Sequence, residues 1–230
     1  MTRNITGLIF TFLLVGCAQI GTTPSTTITP IQKISSAHVL DDLSYLLWLE
    51  QRGQRPLRLR VQLLDQAEQR AEGLYLWREG LLREVEQQGH MDGKLYHLVV
   101  RYDTAGDPVY QRYLLNDKVM PLKEIELHKL YQQASDALQL ARSTTAEGYE
   151  LWQGYWTSEG YVDCKGSRYG TEFQVLPSEA DLRQWQEKGT VVSLMAKQRR
   201  LSGQRVLQHA YVVAAPEQQT ECFVSQLSRE

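Results

Sequence analysis

Side chains that commonly perform catalysis are present in this chain, but their spacing matches no catalytic motif. The histidines lack the H-x-x-x-H and H-E-x-x-H spacings that bind zinc: His38, His90, His97, His128 and His209. No serine stands in a G-x-S-x-G turn, and the phosphate-binding pattern G-x-x-x-x-G-K-[ST] is absent. The sequence therefore predicts a protein that is not an enzyme and that holds no metal or other cofactor.

Aromatic side chains are concentrated in the segment YELWQGYWTSEGY, residues 149–161. Aromatic rings stack against sugars and bases, so this segment is a candidate ligand platform. In an extended strand Trp152 and Trp156 share one face, and Tyr149 and Tyr155 share the other. One face is expected to belong to the core, so Trp152 and Trp156 are either a ligand platform or core residues.

The amino-terminal residues have the organisation of an export signal. The apolar run from Ile5 to Val15 follows Arg3 and is shorter than the roughly 20 residues that a membrane-spanning helix needs. A basic start, a short apolar segment and a small residue, Gly16, are the parts of a cleaved signal peptide. We therefore predict that residues 1–16 are removed.

The tetrapeptide Leu14-Val15-Gly16-Cys17 resembles the bacterial lipobox. The resemblance implies cleavage between Gly16 and Cys17, diacylglycerol on the Cys17 thiol, and acylation of the new amino terminus with a fatty acid such as palmitate. One acyl chain gives marginal membrane binding, whereas two or more hold a protein stably. Ala18 at the next position favours the outer membrane, facing the periplasm. The alternatives are an ordinary signal peptide or a buried amino-terminal helix.

With Cys17 assigned to the lipid, two cysteines remain, Cys164 and Cys222. An exported chain meets an oxidising compartment, so we predict that they form a disulfide. Two separate free thiols are the alternative. A redox-active site is not indicated, because the chain has no C-x-x-C spacing.

Composition and charge exclude several further classes. The chain has 230 residues, of which 42% are hydrophobic and 23% charged, as in ordinary globular proteins. The formal net charge is −2, with both signs interspersed. There is thus no electrostatic basis for binding nucleic acid.

Strand patterns dominate the first part of the body. The segment LRLRVQLLD alternates, with Leu59, Val61 and Leu63 on one face, which is typical of a half-buried strand. Further strand patterns, separated by turn sequences, predict a meander of antiparallel hairpins. Between Pro121 and Arg142 the apolar residues recur at helical spacing, which predicts one long helix packed across the sheet.

Strand patterns resume after the long helix. They are interrupted by PSEADLRQWQEKG, where Ser178 and Asp181 predict a capping box and Gly189 predicts the helix end. This order fits a small barrel of the OB type or a plain antiparallel sheet. We therefore predict a β-rich α+β fold, with the following parts. Residues 17–40 are the lipidated terminus and a flexible Thr/Ser/Pro tether, 41–145 the meander with its helix, and 146–230 the OB-like subdomain.

The order of several short motifs resembles the YjaH-like lipoproteins of gammaproteobacteria, a family of unknown function. The motifs are the lipobox, YLWREG, LYQQASDAL, LWQGYW, VDCKG and ECF. The resemblance covers roughly residues 45–225, with Gly154, Trp156, Cys164 and Cys222 among its anchors. It implies an envelope lipoprotein and supplies no reaction.

Together these features predict a non-enzymatic envelope lipoprotein that is anchored by an acylated cysteine and presents an interaction surface to the periplasm. Its partners would be membrane lipid, through acylated Cys17, and an envelope protein that the sequence does not identify. The alternative function is a small-ligand or glycan-binding module that uses the aromatic segment of the carboxy-terminal subdomain.

Overall fold

The computed structural model describes residues 29–65, 70–91, 93–143 and 147–223. The predicted signal peptide, Gly16 and Cys17 lie outside this part of the chain. Within it, neither helix combines the length and the apolar character that crossing a membrane requires.

The larger unit is an antiparallel sheet of eight strands, in which each strand pairs with the next one along the chain. The strands are Ile31–Leu40 (β1), Leu43–Arg52 (β2), Arg55–Asp65 (β3), Arg70–Arg78 (β4), Leu81–Met91 (β5), Lys94–Tyr102 (β6), Pro108–Leu115 (β7) and Lys118–Met120 (β8). The predicted meander is confirmed.

A long helix, Glu124–Ser143 (α1), packs across one face of this sheet. Its buried residues Leu130, Ala134 and Ala141 recur at intervals of four and seven, so they form one stripe along the helix. They pack against apolar side chains of β2 to β6. The predicted long helix is confirmed.

The second unit is a five-stranded barrel. Its elements are Glu150–Thr157 (β9), Gly160–Asp163 (β10), Arg168–Phe173 (β11), Glu179–Lys188 (α2), Val191–Leu201 (β12) and Gln204–Ala214 (β13). The barrel closes in the order β10-β11-β13-β12-β9, and β11 and β13 are parallel. The structure therefore contains the barrel alternative and not the open antiparallel sheet.

The short helix α2 begins and ends as its sequence predicts. The Ser178 hydroxyl accepts a hydrogen bond from the Asp181 backbone N–H, and the Asp181 carboxylate accepts one from the Ser178 backbone N–H. Gly189 ends the helix in the left-handed conformation, with φ of 62°. This conformation is strained for residues that carry a Cβ, which explains the glycine.

Strands β1 to β3 are covered on both faces. Leu46 and Leu47 are both 0% exposed, but Leu47 belongs to the core beneath α1, whereas Leu46 packs with Met195 and Val213 of the barrel. A strand buried on both faces needs a continuous apolar run and not an alternating one. The sequence YLLWLE in β2 has this character.

The expectation of a flexible tether over residues 17–40 is wrong for residues 31–40, which form β1 and pair along β2. The polar side chains of this strand are satisfied internally. Ser36 and His38 hydrogen-bond to carbonyl oxygens in the last turn of α1, at 3.2 and 3.0 Å. Ser35 donates to a carbonyl oxygen of β9 at 3.2 Å. The composition of β1 resembles that of a linker, since nothing near it in the sequence shows that its polar side chains are satisfied. The acceptors for these side chains lie far along the chain, on α1 and β9.

Candidate ligand cavity

A cavity of about 460 Å³ lies between the second half of α1 and the facing side of the sheet. This volume is within the range of roughly 300–1,000 Å³ found for small-molecule sites. Its apolar wall consists of aliphatic side chains from the sheet and the helix: Leu40, Val61, Leu63, Ala71, Ala137 and Leu140. The cavity is also lined by three tyrosines, each from a different strand: Tyr45, Tyr75 and Tyr96.

Small residues in β4 leave the space that the cavity occupies. Strand register places Gly73 between Val61 of β3 and Gln87 of β5, and places Ala71 between Leu63 and Gly89. In these two neighbouring rows of residues, which run across β3, β4 and β5, the position on β4 thus lacks a large side chain. A glycine inside a strand commonly marks a place where another group approaches closely. Here α1 passes above the gap without filling it.

The floor of the cavity is held by the Tyr75 side chain, which is 5% exposed. A Cβ at Gly73 would come within 3.3 Å of the Tyr75 ring, so the glycine lets this ring lie against the strand. Gln87 Nε2 donates to the Tyr75 hydroxyl at 3.1 Å and lies 3.4 Å from Gln133 Oε1 on α1. Gln87 thereby connects the floor of the cavity to the helix above it.

Tyr45, Tyr75 and Tyr96 form the tyrosine cluster, and two of its members, Tyr75 and Tyr96, have raised pKa values. Burial raises the pKa of Tyr75, and the neighbouring Tyr96 and Tyr45 phenols raise it further, while the hydrogen bond from Gln87 lowers it. Burial also raises the pKa of Tyr96. Because unperturbed tyrosine titrates near pH 10, Tyr75 and Tyr96 stay protonated at neutral pH.

The charged residues that line the cavity are carboxylates. Among the described residues, no lysine, arginine or histidine contributes to the lining. Glu72 forms an ion pair with Arg70. Asp136 of α1 is an exposed residue that also lines the cavity, and Gln132 Nε2 donates to it at 2.9 Å. The net electrostatic contribution of the lining is therefore negative.

Trp152 and Trp156 lie together, as their spacing predicts, but they pack against the core of the barrel. The Trp152 ring is 5.1 Å from the ring of Tyr169, and the Trp156 ring is 5.7 Å from that of Phe173, between centroids. The opposite face of β9 is buried as well, since Leu151 packs against the large sheet. Both faces of this strand thus serve packing, and the open cavity lies elsewhere.

Cys164 and Cys222 form a disulfide, as predicted, with their Cα atoms 6.0 Å apart. The bond connects the β10–β11 hairpin with the segment that follows β13. In that segment Phe223 is 4% exposed, and its ring lies 4.9 Å from the ring of Trp48 in the large sheet. The disulfide therefore holds the carboxy-terminal segment at the contact between sheet and barrel.

Buried glutamine side chains connect the two units at this contact. Gln62 of the sheet is 0% exposed, and its Nε2 donates to Gln219 Oε1 at 3.3 Å. Gln153 of the barrel lies 3.5 Å from Gln62 Oε1 and donates to Ser193 at 3.2 Å. The Phe223 backbone N–H donates to Gln153 Oε1 at 3.2 Å. A buried amide needs such partners to offset its lost hydration.

The histidines occupy separate places in the fold. His38 bonds to α1 in the way described above, and His97 Nε2 lies 2.8 Å from a Glu86 carboxylate oxygen on the neighbouring strand. In the described part of the chain, no group of three or more His, Cys, Asp or Glu side chains is placed to hold a metal ion.

The cavity residues were not singled out from the sequence. Tyr45, Tyr75 and Tyr96 come from three strands, and each fits the apolar face of its own strand, so none stood out alone. The local signal that could have indicated the cavity is the pair of small residues at Ala71 and Gly73, on the core-facing side of a strand. Whether these two small residues create a cavity depends on which residues of β3 and β5 lie beside them, and this is fixed by the strand register.

The fold and the cavity define a β-rich α+β protein in which a helix spans an eight-stranded sheet and leaves a ligand-sized space beneath it. The chain belongs to a family described as protein of unknown function (DUF1481), which matches residues 35–213. The match runs from within β1 into β13 and agrees with the expected membership of a family of unknown function. No curated protein matches the chain, and no solved structure does.

Proposed function

We propose that this protein is a non-enzymatic, lipid-anchored envelope protein whose folded body binds a small ligand with a large apolar part in the cavity beneath α1. The cavity itself carries the proposal. It combines a mainly aliphatic wall with a few hydrogen-bonding groups, Tyr75, Gln87 and Gln133 among them. Ligand sites commonly combine apolar walls that supply affinity with a few polar groups that orient the ligand.

The location of the cavity supports binding of a small molecule more strongly than docking of a protein. It lies between a helix and a sheet that are held together at both ends of the helix. Tyr102 donates to the Leu127 carbonyl near the start of α1 at 3.3 Å. Arg142 near its end donates to Gln51 Oε1 and to the Gln54 carbonyl, at 3.0 and 2.8 Å. Because both ends of α1 are fixed to the sheet, the cavity is formed before a ligand binds. Binding then costs less conformational entropy, since the protein does not have to become ordered around the ligand.

The experiment measures binding of N-phenyl-1-naphthylamine, an uncharged fluorophore that brightens in apolar surroundings. We would use the mature chain, residues 17–230, with Cys17→Ser to prevent acylation. Ala137→Trp places a large ring in the cavity, whereas Gln139→Trp places the same ring on the exposed side of the same helix. We expect saturable binding to the parent chain and to Gln139→Trp, and binding at least about tenfold weaker to Ala137→Trp.

Equal binding to the two tryptophan variants would place the fluorophore outside the cavity and would refute the proposal. Saturable binding must also be absent from a chain unfolded in urea. Urea denaturation of both variants checks that Ala137→Trp remains folded, so that a loss of binding reports a filled cavity and not a damaged core.

The anchor is the part of the proposal that the amino-terminal sequence supports. We propose that Cys17 is the first residue of the mature protein, that it is acylated, and that it holds the body at the outer membrane on the periplasmic side. Mass spectrometry of the mature amino terminus tests this directly. An unmodified Cys17, or cleavage at another position, would contradict the proposed location and leave the cavity hypothesis in place.

We also propose that the barrel is of the OB type. Its strand order and the helix α2 between its third and fourth strands support this assignment. Trp152 and Trp156 are taken up by its core, so we propose no glycan platform on these rings. In this interpretation the barrel covers the outer side of β1 to β3 and the ligand site belongs to the large sheet.

A further inference from the structure

The tyrosine cluster surrounds the gap over β4 from three strands. Tyr45 stands on β2, Tyr75 on β4 and Tyr96 on β6, and all three side chains line the cavity. Aromatic rings attract cations through the negative potential of their faces, and groups of rings are a recurrent means of binding organic ammonium ions. Gln87 is the group that holds the central ring by a hydrogen bond.

Charges around the cavity favour the same sign of ligand. The described lining contains Glu72 and Asp136 and no basic side chain. The Glu72 charge is balanced by Arg70, so Asp136 supplies the charge that a ligand can still use. The adjacent last turn of α1 carries the negative end of the helix dipole, which also stabilises cations, and Arg142 in that turn offsets part of this effect. An anionic head group would instead enter a cavity whose described lining offers no basic side chain, so its desolvation cost would not be offset by an ion pair with the lining.

From the tyrosine cluster, Asp136 and the aliphatic wall, we propose that the ligand is an organic monocation, an ammonium group attached to an apolar chain or ring. The apolar part packs against Val61, Leu63 and Leu140, and the ammonium group lies among the tyrosine rings on the side of Asp136. This inference rests on the proposed function, because it specifies the ligand class of the same cavity.

The test compares three compounds that share an eight-carbon chain and differ in charge: octyltrimethylammonium, octanol and octanoate. Each competes with N-phenyl-1-naphthylamine for the mature chain carrying Cys17→Ser. We expect octyltrimethylammonium to compete at a concentration roughly tenfold lower than octanol. Octanoate should be the weakest of the three.

Two variants separate the charge effect from general loss of the site. Asp136→Asn removes the usable carboxylate from the mouth of the cavity, and Glu124→Gln makes the same change of charge near the other end of α1. We expect Asp136→Asn to weaken competition by octyltrimethylammonium about threefold at low salt and to leave octanol unchanged. Glu124→Gln should leave all three compounds unchanged.

The outcomes distinguish this inference from the proposed function. If octanol or octanoate competes as well as octyltrimethylammonium, while Ala137→Trp still abolishes binding, the ligand class is wrong and the cavity remains the site. If Asp136→Asn and Glu124→Gln have equal effects, the preference for cations reflects net charge and the inference fails. If the fluorophore binds the parent chain and Ala137→Trp equally, the proposed function fails with it.

Discussion

The disulfide between Cys164 and Cys222 makes a testable contribution to stability. It closes a loop over a sequence separation of 58 residues. In the chain-entropy description, a loop of this length contributes about 4 kcal/mol at 25 °C by restricting the unfolded chain. We therefore expect the double variant Cys164→Ala/Cys222→Ala to lower the free energy of unfolding by about that amount, which is a large part of the stability of a typical domain.

The structure also predicts where the weakened protein opens first. The segment after β13 is attached by the disulfide, by packing of Phe223 against Trp48, and by the hydrogen bond from Phe223 to Gln153. Without the covalent link, this segment can separate while both sheets persist. We expect the environment of Trp48 to change at urea concentrations below the main transition, because local opening costs less than global unfolding.

The assay is urea denaturation followed by tryptophan fluorescence and far-ultraviolet circular dichroism. The mature chain carries Cys17→Ser, so that Cys164 and Cys222 are its only cysteines. Reduction of the parent protein should reproduce the shift of the double variant, and a reductant should have no effect on that variant. A loss below about 1 kcal/mol in the double variant would refute the entropic reasoning. Coincident transitions by both probes would refute the order of opening.

Four further changes test other parts of the structure, each by urea denaturation. Gln62→Leu removes the donor to the buried Gln219 Oε1 and one acceptor of Gln153 Nε2, and should cost about 1–3 kcal/mol; an unchanged stability would contradict the role of the network. Gly154→Ala should cost about 1–3 kcal/mol or prevent folding, because its Cβ would lie 2.8 Å from a backbone Cα of β10; a tolerated alanine would show that the strands can move apart. Ser178→Ala should cost about 0.5–2 kcal/mol through loss of the cap on α2, and Ser178→Asp should restore most of it. Burial lowers the pKa of His38 below its usual value of 6.5, and the hydrogen bond to the Leu140 carbonyl opposes this shift. The unfolded chain therefore binds a proton at His38 more readily than the folded chain does. Stability should therefore fall as the pH drops below about 6.5, and His38→Gln should reduce that dependence; equal pH profiles would contradict it.

Features that depend on neighbouring residues were predicted well from the sequence. The long helix follows from apolar residues at helical spacing, and the ends of α2 follow from Ser178, Asp181 and Gly189, whose interactions span a few positions. The disulfide followed from a count of cysteines and an inferred compartment. The periodicity of these segments is a local property, so no knowledge of distant contacts was needed.

Features that depend on partners far along the chain were missed or left open. The sequence predicts a tether where strand β1 lies, because the acceptors for its serines and His38 are on α1 and β9, more than 100 residues away. The aromatic segment left two interpretations open, because alternation separates the faces of β9 but does not say what covers each one. Contact with the barrel core on one side and the sheet on the other decided this point.

The sequence by itself determined the periodic elements, the capped short helix and the pairing of Cys164 with Cys222, whereas the lipid anchor at Cys17 stays a prediction. Only the tertiary structure decided that a ligand-sized cavity exists. The register of β3, β4 and β5 places Ala71 and Gly73 in adjacent rows, and α1 then spans the gap between tyrosines from three other positions in the sheet. An empty volume is a property of several strands and a helix together, so no single segment of the chain encodes it.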